Sequence, residues 1–403
     1  MIEASISPAQ QYTAPLSPAL SPAKYHALLA VMHETAGDRP HVAREVLGTL
    51  VDHQLDRESD DDVRYFIFAN ALARRLDSGR AAAINLYLQE HEVPQIELFN
   101  LVARHLPTVG AAGRVANRLL ARQLARRDTV TLLDIGIGTA RQEVALLRAM
   151  AAEGTLPAQL TVIAVEPNAH CLAEAERALR SVAAELRLDL RFRGIGTTIE
   201  ELTAHQWATL RADDAPLVVN AAFAMHHVRD TDAGGRDAVV ARLRELDAEA
   251  VVLCEPNANH HTDSFFARFE SAWDHFSRTF ALIDRLDVGA RERRAMKLFF
   301  TREIEDILAN DDATRCERHE PTMAWVARLA RSGFHPAEDL ADCAGYEQLI
   351  SRSAHRGYVG LDFEGATLVS IICAVRALVP AVERERRRRR AVTAPGPLRQ
   401  LPD

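Results

Sequence analysis

From Ala23 to about Arg127 the apolar residues return at threes and fours. KYHALLAVMHETAG, VAREVLGTLVDHQL, VRYFIFANALARRL and ELFNLVARHLPTVG each carry that helical spacing. AGRVANRLLARQLARR continues it and ends in arginines, which suit the negative end of a helix dipole. The pattern predicts a helical N-terminal cap over residues 23–127. A lead-in rich in Ser, Pro, Ala and Gln, residues 1–22, reads as disordered.

The period then changes. TVTLLDIGIG, LTVIAVEPN, LRFRGIGTT, APLVVNAAFAMHHV and AEAVVLCEPN are short runs rich in β-branched residues. Between them RQEVALLRAMAAEG, AHCLAEAERALRSVAAELRL, the short TIEELT and RDAVVARLRELDAE are helical. Strands alternating with helices at this spacing predict an α/β fold with a doubly wound, mostly parallel Rossmann-like sheet over residues 128–380. After the fifth strand comes an aromatic helix, SFFARFESAWDHFSRTFALIDRL, whose rings recur at core-packing spacing. KLFFTREIEDILAND and AWVARLARSG are further helices. YVGLDFEGATLVSIICAVRAL reads as a closing hairpin with Glu364-Gly365 near its turn. Residues 381–403 hold an arginine run and read as a disordered tail.

A chain with 48% hydrophobic and 26% charged residues is an ordinary globular one. The net charge of -8 argues against a nucleic-acid partner. No apolar run approaches membrane-spanning length, so no membrane partner is expected. Five scattered cysteines without a CxxC pair fit a reducing compartment and argue against a disulfide frame or structural zinc. The first residues lack the basic and apolar regions of a secretory leader. Together these predict a cytoplasmic protein acting on a small molecule.

LLDIGIGTA places Asp134, Gly136, Gly138 and Thr139 where a strand opens into a helix. Glycine there permits a sharp turn and close approach of a ligand to the main chain, and the helix start offers amides to an anion. Glu166, ending the next strand ahead of Asn168, is placed to accept from a ribose diol. A nicotinamide fingerprint wants a third glycine where this chain has Arg141. The cofactor expected is therefore S-adenosyl-L-methionine, with Asp134, Gly136, Gly138, Thr139, Glu166, Asn168, Thr198 and Asn220 as binding candidates. VVNAAFAMHHVRD resembles the fourth-strand segment of class I methyltransferases, with Asn220 close to the methionine end.

CEPNANHH crowds hydrogen-bonding side chains at the mouth of the fifth strand. Ligands of doubly wound sheets gather at such strand ends. Glu255, Asn257, Asn259 and His260 are candidates to grip a substrate, and His226, His227 or His260 to act as base, since imidazole titrates near neutrality. Structural roles stand beside these. Asn257 and Asn259 are candidate caps for the helix starting near Asp263, Glu255 is a candidate partner for Arg318, and His227 a core residue. No metal is expected, because no known ligand spacing is completed.

Four blocks then resemble the GRAS family, plant regulators with Rossmann-type bacterial relatives. They are VTLLDIGIGTARQEVALLRAM, CEPNANHHTDSFFARFESAWDHFSRTFALID, RCERHEPTMAWVARLARSGFHP and the closing hairpin. The glycine loop, which the plant members generally lack, points to the members resembling S-adenosylmethionine-dependent enzymes. A methyltransferase for a small polar metabolite is the first expectation. Attack at the methionine γ-carbon, by aminocarboxypropyl transfer or ring closure with release of methylthioadenosine, is the second. A non-catalytic ligand- or partner-binding module is the third. The N-terminal helices have the position of a lid, reached by Tyr87, Phe99 and Asn100, or of a homodimer contact.

Overall fold

The computed structural model describes residues 21–77, 95–211, 215–229 and 235–376. The lead-in up to residue 20, Tyr87, the side chains of Phe99 and Asn100 and the Arg-rich tail lie outside the described residues.

The N-terminal periodicity forms five helices: α1 (Pro22–Ala36), α2 (Pro40–His53), α3 (Val63–Asp77), α4 (Gln95–His105) and α5 (Pro107–Leu124). α1, α2 and α5 each begin with proline, which lacks the amide that would be orphaned there. Then follow β1 (Thr129–Ile135), α6 (Arg141–Ala152), β2 (Gln159–Val165), α7 (Ala169–Leu186), β3 (Asp189–Ile195), α8 (Ala204–Thr209), β4 (Leu217–Ala222), α9 (Gly235–Glu245) and β5 (Ala250–Pro256). Four helices succeed them: α10 (Phe265–Asp284), α11 (Ala290–Phe299), α12 (Thr301–Ala309) and α13 (Thr322–Arg331). The chain closes on β6 (Phe334–Pro336), β7 (Gly345–Glu347), β8 (Ile350–His355), β9 (Tyr358–Phe363) and β10 (Ala366–Arg376).

One ten-stranded sheet runs β3-β2-β1-β4-β5-β10-β9-β8-β7, with β6 beside β10. β3 to β5 are parallel, and β10 joins β5 antiparallel to begin the closing extension. This is the mostly parallel Rossmann-like sheet the pattern predicts, with an antiparallel extension. β5 is buried along its whole length, which explains why it reads as a continuous apolar run rather than an alternating one. The β9–β10 turn falls at Glu364 and Gly365, both with positive φ (50° and 79°), the geometry of a two-residue hairpin turn.

Two apolar layers cover the sheet, one including α5, α6, α7 and α10 and the other α9 and α13. α5, inside the expected cap, packs directly on β4, β5, β9 and β10. α1 and α3 instead meet α10 through an aromatic seam in which Tyr25, Tyr65 and Phe68 surround Trp273 at 5.0, 5.3 and 4.9 Å.

Candidate functional site

The strand order reverses between β1 and β4, so their carboxyl ends form the crevice where such sheets bind ligands. Gly136 follows β1 with φ 75°. A Cβ on it would lie 2.7 Å from the Cβ of Ala224 in the loop after β4. Gly136 therefore serves packing: it lets the two strand ends close on each other. Gly138 differs. Its φ is 54°, and a Cβ there would meet nothing within 4 Å. Its amide donates to Glu166 Oε2 (3.0 Å), and the Asn168 amide donates to Glu166 Oε1 (2.9 Å). Burial raises the Glu166 pKa, and these amides pull it back.

Thr139 is half-buried in the same turn. No side chain caps the amides of α6. Asn168 caps α7, accepting from His170 N and Cys171 N. Thr198 stands at the end of β3, its buried Oγ1 without a hydrogen-bond partner among the described residues. An open glycine, a carboxylate with remaining lone pairs and an uncapped helix start fit a nucleoside bearing a carboxylate.

Beneath this loop lies a buried network. Asn220 Nδ2 donates to Asp134 Oδ2 (2.8 Å) and to Glu143 Oε1 (3.3 Å), and Gln142 Nε2 donates to Asn220 Oδ1 (3.4 Å). Burial raises Asp134 to about 6. Glu143 is raised well above the carboxylate range by burial and by Asp134, with which it shares a proton. Both acids bind protons more tightly folded than unfolded. The contribution of Asp134 to stability is present below 3.8, the ordinary Asp value, and is lost as pH rises through about 6. Urea denaturation across that range should therefore show wild type losing stability relative to Asp134→Asn as pH rises. A difference that stays constant with pH would reject the shared proton.

A second polar cluster fills the carboxyl ends of β4 and β5. Glu255 Oε1 accepts from Met225 N (2.9 Å), and its Oε2 lies 2.7 Å from His226 Nδ1. The other face of His226 looks at Glu317, with Nε2 3.5 Å from Oε2. His227 Nδ1 is 3.4 Å from Glu317 Oε1. His319 Nε2 is 3.5 Å from Glu317 Oε2 and 3.2 Å from Glu303 Oε1. The imidazoles of His226 and His319 meet edge to face at 4.4 Å, and His260 lies 4.8 Å from His319.

Backbone contacts hold this arrangement. Asp306 Oδ2 accepts from the amides of Cys316 (2.7 Å) and Glu317 (2.6 Å). The amides of His260 and His261 both donate to His319 O. Buried Arg315 donates to His260 O (2.6 Å), and buried Arg236 to His226 O (2.7 Å) and Val228 O (3.2 Å). Burial lowers His226 to about 3 and raises Glu255 to about 8. Burial, then Glu303, raises Glu317 well above the usual carboxylate range. The ring nitrogens of His260 and His319, and Glu317 Oε2, are buried without a hydrogen bond.

The GRAS domain family model matches residues 25–368. The chain belongs to the GRAS domain family. It is 26% identical to the DELLA protein RGL3 of Arabidopsis thaliana over 287 residues, which is 70% of this chain and 54% of that protein. It is likewise 26% identical to the Scarecrow-like transcription factor PAT1 of Arabidopsis thaliana over 232 residues, 55% of this chain and 47% of that one. The chain thus spans about half the length of the curated relatives it matches. The crystal structure of SCL7 from Oryza sativa shares the fold, with TM-score 0.73 at 22% identity, covering 88% of this chain and all of that one.

In this GRAS protein the predicted residues fall into two groups. Gly138, Thr139 and Glu166 form the loop, while His226, His227, Glu255 and His260 meet in the cluster. Asp134 and Asn220 are buried below the loop rather than facing it. Three expectations change. Asn257 does not cap α10, whose N-cap is Ser264. Its Oδ1 instead accepts from the amide and hydroxyl of Thr322, capping α13, and its Nδ2 donates to Thr367 O. Asn259 is exposed, and only its backbone amide, to Ser271 Oγ, makes a hydrogen bond among those described. Glu255 does not pair with Arg318, whose guanidinium reaches the carbonyls of Arg315 and Asp312.

The sequence completes no known metal-ligand spacing, but the fold brings candidate donors together. His226, His227 and Glu317 bring three donor atoms within 4.8 Å of one another, and so do Glu303, Glu317 and His319. Sequence reading missed Glu143, Glu303, Asp306, Glu317, His319, Arg236 and Arg315. The one available signal was RCERHE, whose alternating charge and imidazole are unusual for a buried segment.

Proposed function

We propose that this GRAS protein is an S-adenosylmethionine-dependent enzyme, first of all a methyltransferase for a small polar metabolite. The observation that carries the reading is Gly138. It is an open glycine in the left-handed region, on the loop after β1, with its amide set against Glu166 at the next strand end. Gly138, Thr139 and the start of α6 would receive the cofactor's anionic part, and Glu166 a ribose hydroxyl. Bound S-adenosylmethionine supplies an electrophilic carbon next to a sulfonium. The chain's own residues position an acceptor against it, with Glu255 orienting His226 at the carboxyl ends of the strands. The helices α10 to α12 exclude water from this side.

Gly138→Asn is the test of this loop. Asparagine tolerates the left-handed region, so folding should persist, while its side chain enters the open space over the loop. Calorimetric titration should show S-adenosylmethionine affinity falling at least about tenfold, a loss of roughly 1.4 kcal/mol. Unchanged affinity would remove the loop from the cofactor site. Mass spectrometry of the products tells methyl transfer from attack at the γ-carbon, since only the latter releases methylthioadenosine. If wild type binds no S-adenosylmethionine, the transcription-factor role named for PAT1 becomes the better guide.

A further inference from the structure

We propose that the cluster at the carboxyl ends of β4 and β5 binds a first-row divalent transition-metal ion through His226, His227 and Glu317, with Glu303 and His319 forming a second donor set that shares Glu317. The geometry is close to that of a loaded site. Ligands held about 2.0–2.2 Å from an ion lie roughly 3–3.6 Å apart at tetrahedral or octahedral angles. His226 Nε2 to Glu317 Oε2 is 3.5 Å, His227 Nδ1 to Glu317 Oε1 is 3.4 Å and His319 Nε2 to Glu303 Oε1 is 3.2 Å.

The surroundings point the same way. Glu255 sits 2.7 Å from His226 Nδ1, the carboxylate–histidine pairing that fixes a ligating imidazole. With Nδ1–H donated to Glu255, the Nε2 lone pair faces the Glu317 carboxylate. Two electron-rich atoms so placed repel unless a proton or a metal cation lies between them. Among the described residues, the side chains at ion-pair distance from Glu317 are the imidazoles of His226, His227 and His319. Glu317 Oε2 and both ring nitrogens of His319 are buried without a hydrogen bond, a costly state for a site with no ligand. Arg236, Arg315 and Asp306 grip the backbone of the surrounding loops. The site is therefore pre-formed without using those atoms.

Imidazole and carboxylate together select manganese, iron, cobalt, nickel or zinc over the all-oxygen preferences of magnesium and calcium. Two histidines and one carboxylate leave coordination positions open for an oxygen donor. His227, whose side chain keeps 18% of its surface exposed, marks the side from which such a ligand enters. The chemical class implied is a small molecule carrying a hydroxyl or carboxylate oxygen. The metal site stands on this geometry alone; only the assignment of that molecule as the acceptor rests on the S-adenosylmethionine reading.

The test uses tag-free, full-length protein stripped with a chelator and titrated with Co2+. Visible ligand-field absorption and metal content after gel filtration are the readouts. Wild type should retain at least one equivalent. Glu317→Gln should lose it, and Glu255→Gln, acting through His226, should weaken it about 10–100-fold. His227→Gln, on a partly exposed side chain, gives a ligand variant that stays folded if Glu317→Gln does not, with circular dichroism checking both. No bound Co2+ in wild type, or wild-type affinity in folded Glu317→Gln or His227→Gln, overturns the site. Calorimetry with S-adenosylmethionine on the same samples separates the two proposals. Metal without cofactor binding upholds the site and removes the acceptor assignment, whereas cofactor without metal binding removes the site and leaves the loop reading standing.

Discussion

Gly136→Val should destabilise the fold by about 2–5 kcal/mol, adding left-handed strain of about 1–2 kcal/mol to an overpacking cost of about 1–3 kcal/mol. Both costs follow from one position. The backbone there has φ 75°, and the new Cβ would stand 2.7 Å from the Cβ of Ala224 and 3.9 Å from its Cα. Set against a total stability of about 5–15 kcal/mol, this is a large fraction. Urea denaturation followed by circular dichroism checks it, and stability within about 1 kcal/mol of wild type would show that the strand ends are not in contact. Loss of activity in a Gly136 variant therefore reports on folding, whereas Gly138→Asn reports on the ligand.

Glu320→Ala should cost about 3 kcal/mol, because it removes a carboxylate that two buried arginines share, although Arg328 keeps its bond to Asp237 (2.8 Å). Arg328 Nη2 donates to both Glu320 oxygens (2.6 and 2.8 Å), and Arg236 Nη1 lies 3.4 Å from Oε1. Both guanidiniums stand over Trp325, at 5.2 and 5.6 Å, so neither is readily rehydrated. Since Arg236 also donates to His226 O, the loss should reach the cluster, and Co2+ affinity should fall together with stability. Glu320→Gln keeps an acceptor and should cost less. If Glu320→Ala unfolds at the same urea concentration as wild type, the two arginines are held by other partners and this anchor is secondary.

The fold was largely legible. The inner parallel strands β1, β2, β4 and β5 are largely buried, so they read as apolar runs, while edge strand β3 is mostly exposed or half-buried. The closing hairpin was visible through Glu364-Gly365. The rest of the antiparallel extension was not. β6 and β7 are three residues each, and β8, ISRSAH, is half-buried and largely polar, so neither length nor alternation stands out. KLFFTREIEDILAND reads as one helix yet divides at Phe300. That residue ends α11 and starts α12 while its ring packs on Phe276 and Phe280. A tertiary contact of this kind leaves no mark on local periodicity.

The two halves of the candidate site divide the same way. Asp134, Gly136, Gly138, Glu166, His226 and Glu255 each end a strand or follow one. In a parallel sheet every strand end is delivered to one edge, so alternation of strands and helices was enough to bring them together. Their roles at that edge were beyond the sequence. Gly136 and Gly138 are the same residue type two positions apart, and only the nearness of Ala224 makes one a packing glycine and the other an open one. Glu303, Glu317 and His319 lie far along the chain from His226, on α12 and on the turn ahead of α13. Nothing in their local spacing relates them to β4. The sequence by itself determined the sheet and the edge where polar groups collect, because strand order and burial are properties of hydrophobic pattern. Tertiary structure alone decided which of those groups face one another, because that depends on how α10 to α13 pack back over the strand ends, and packing joins residues that no periodicity connects.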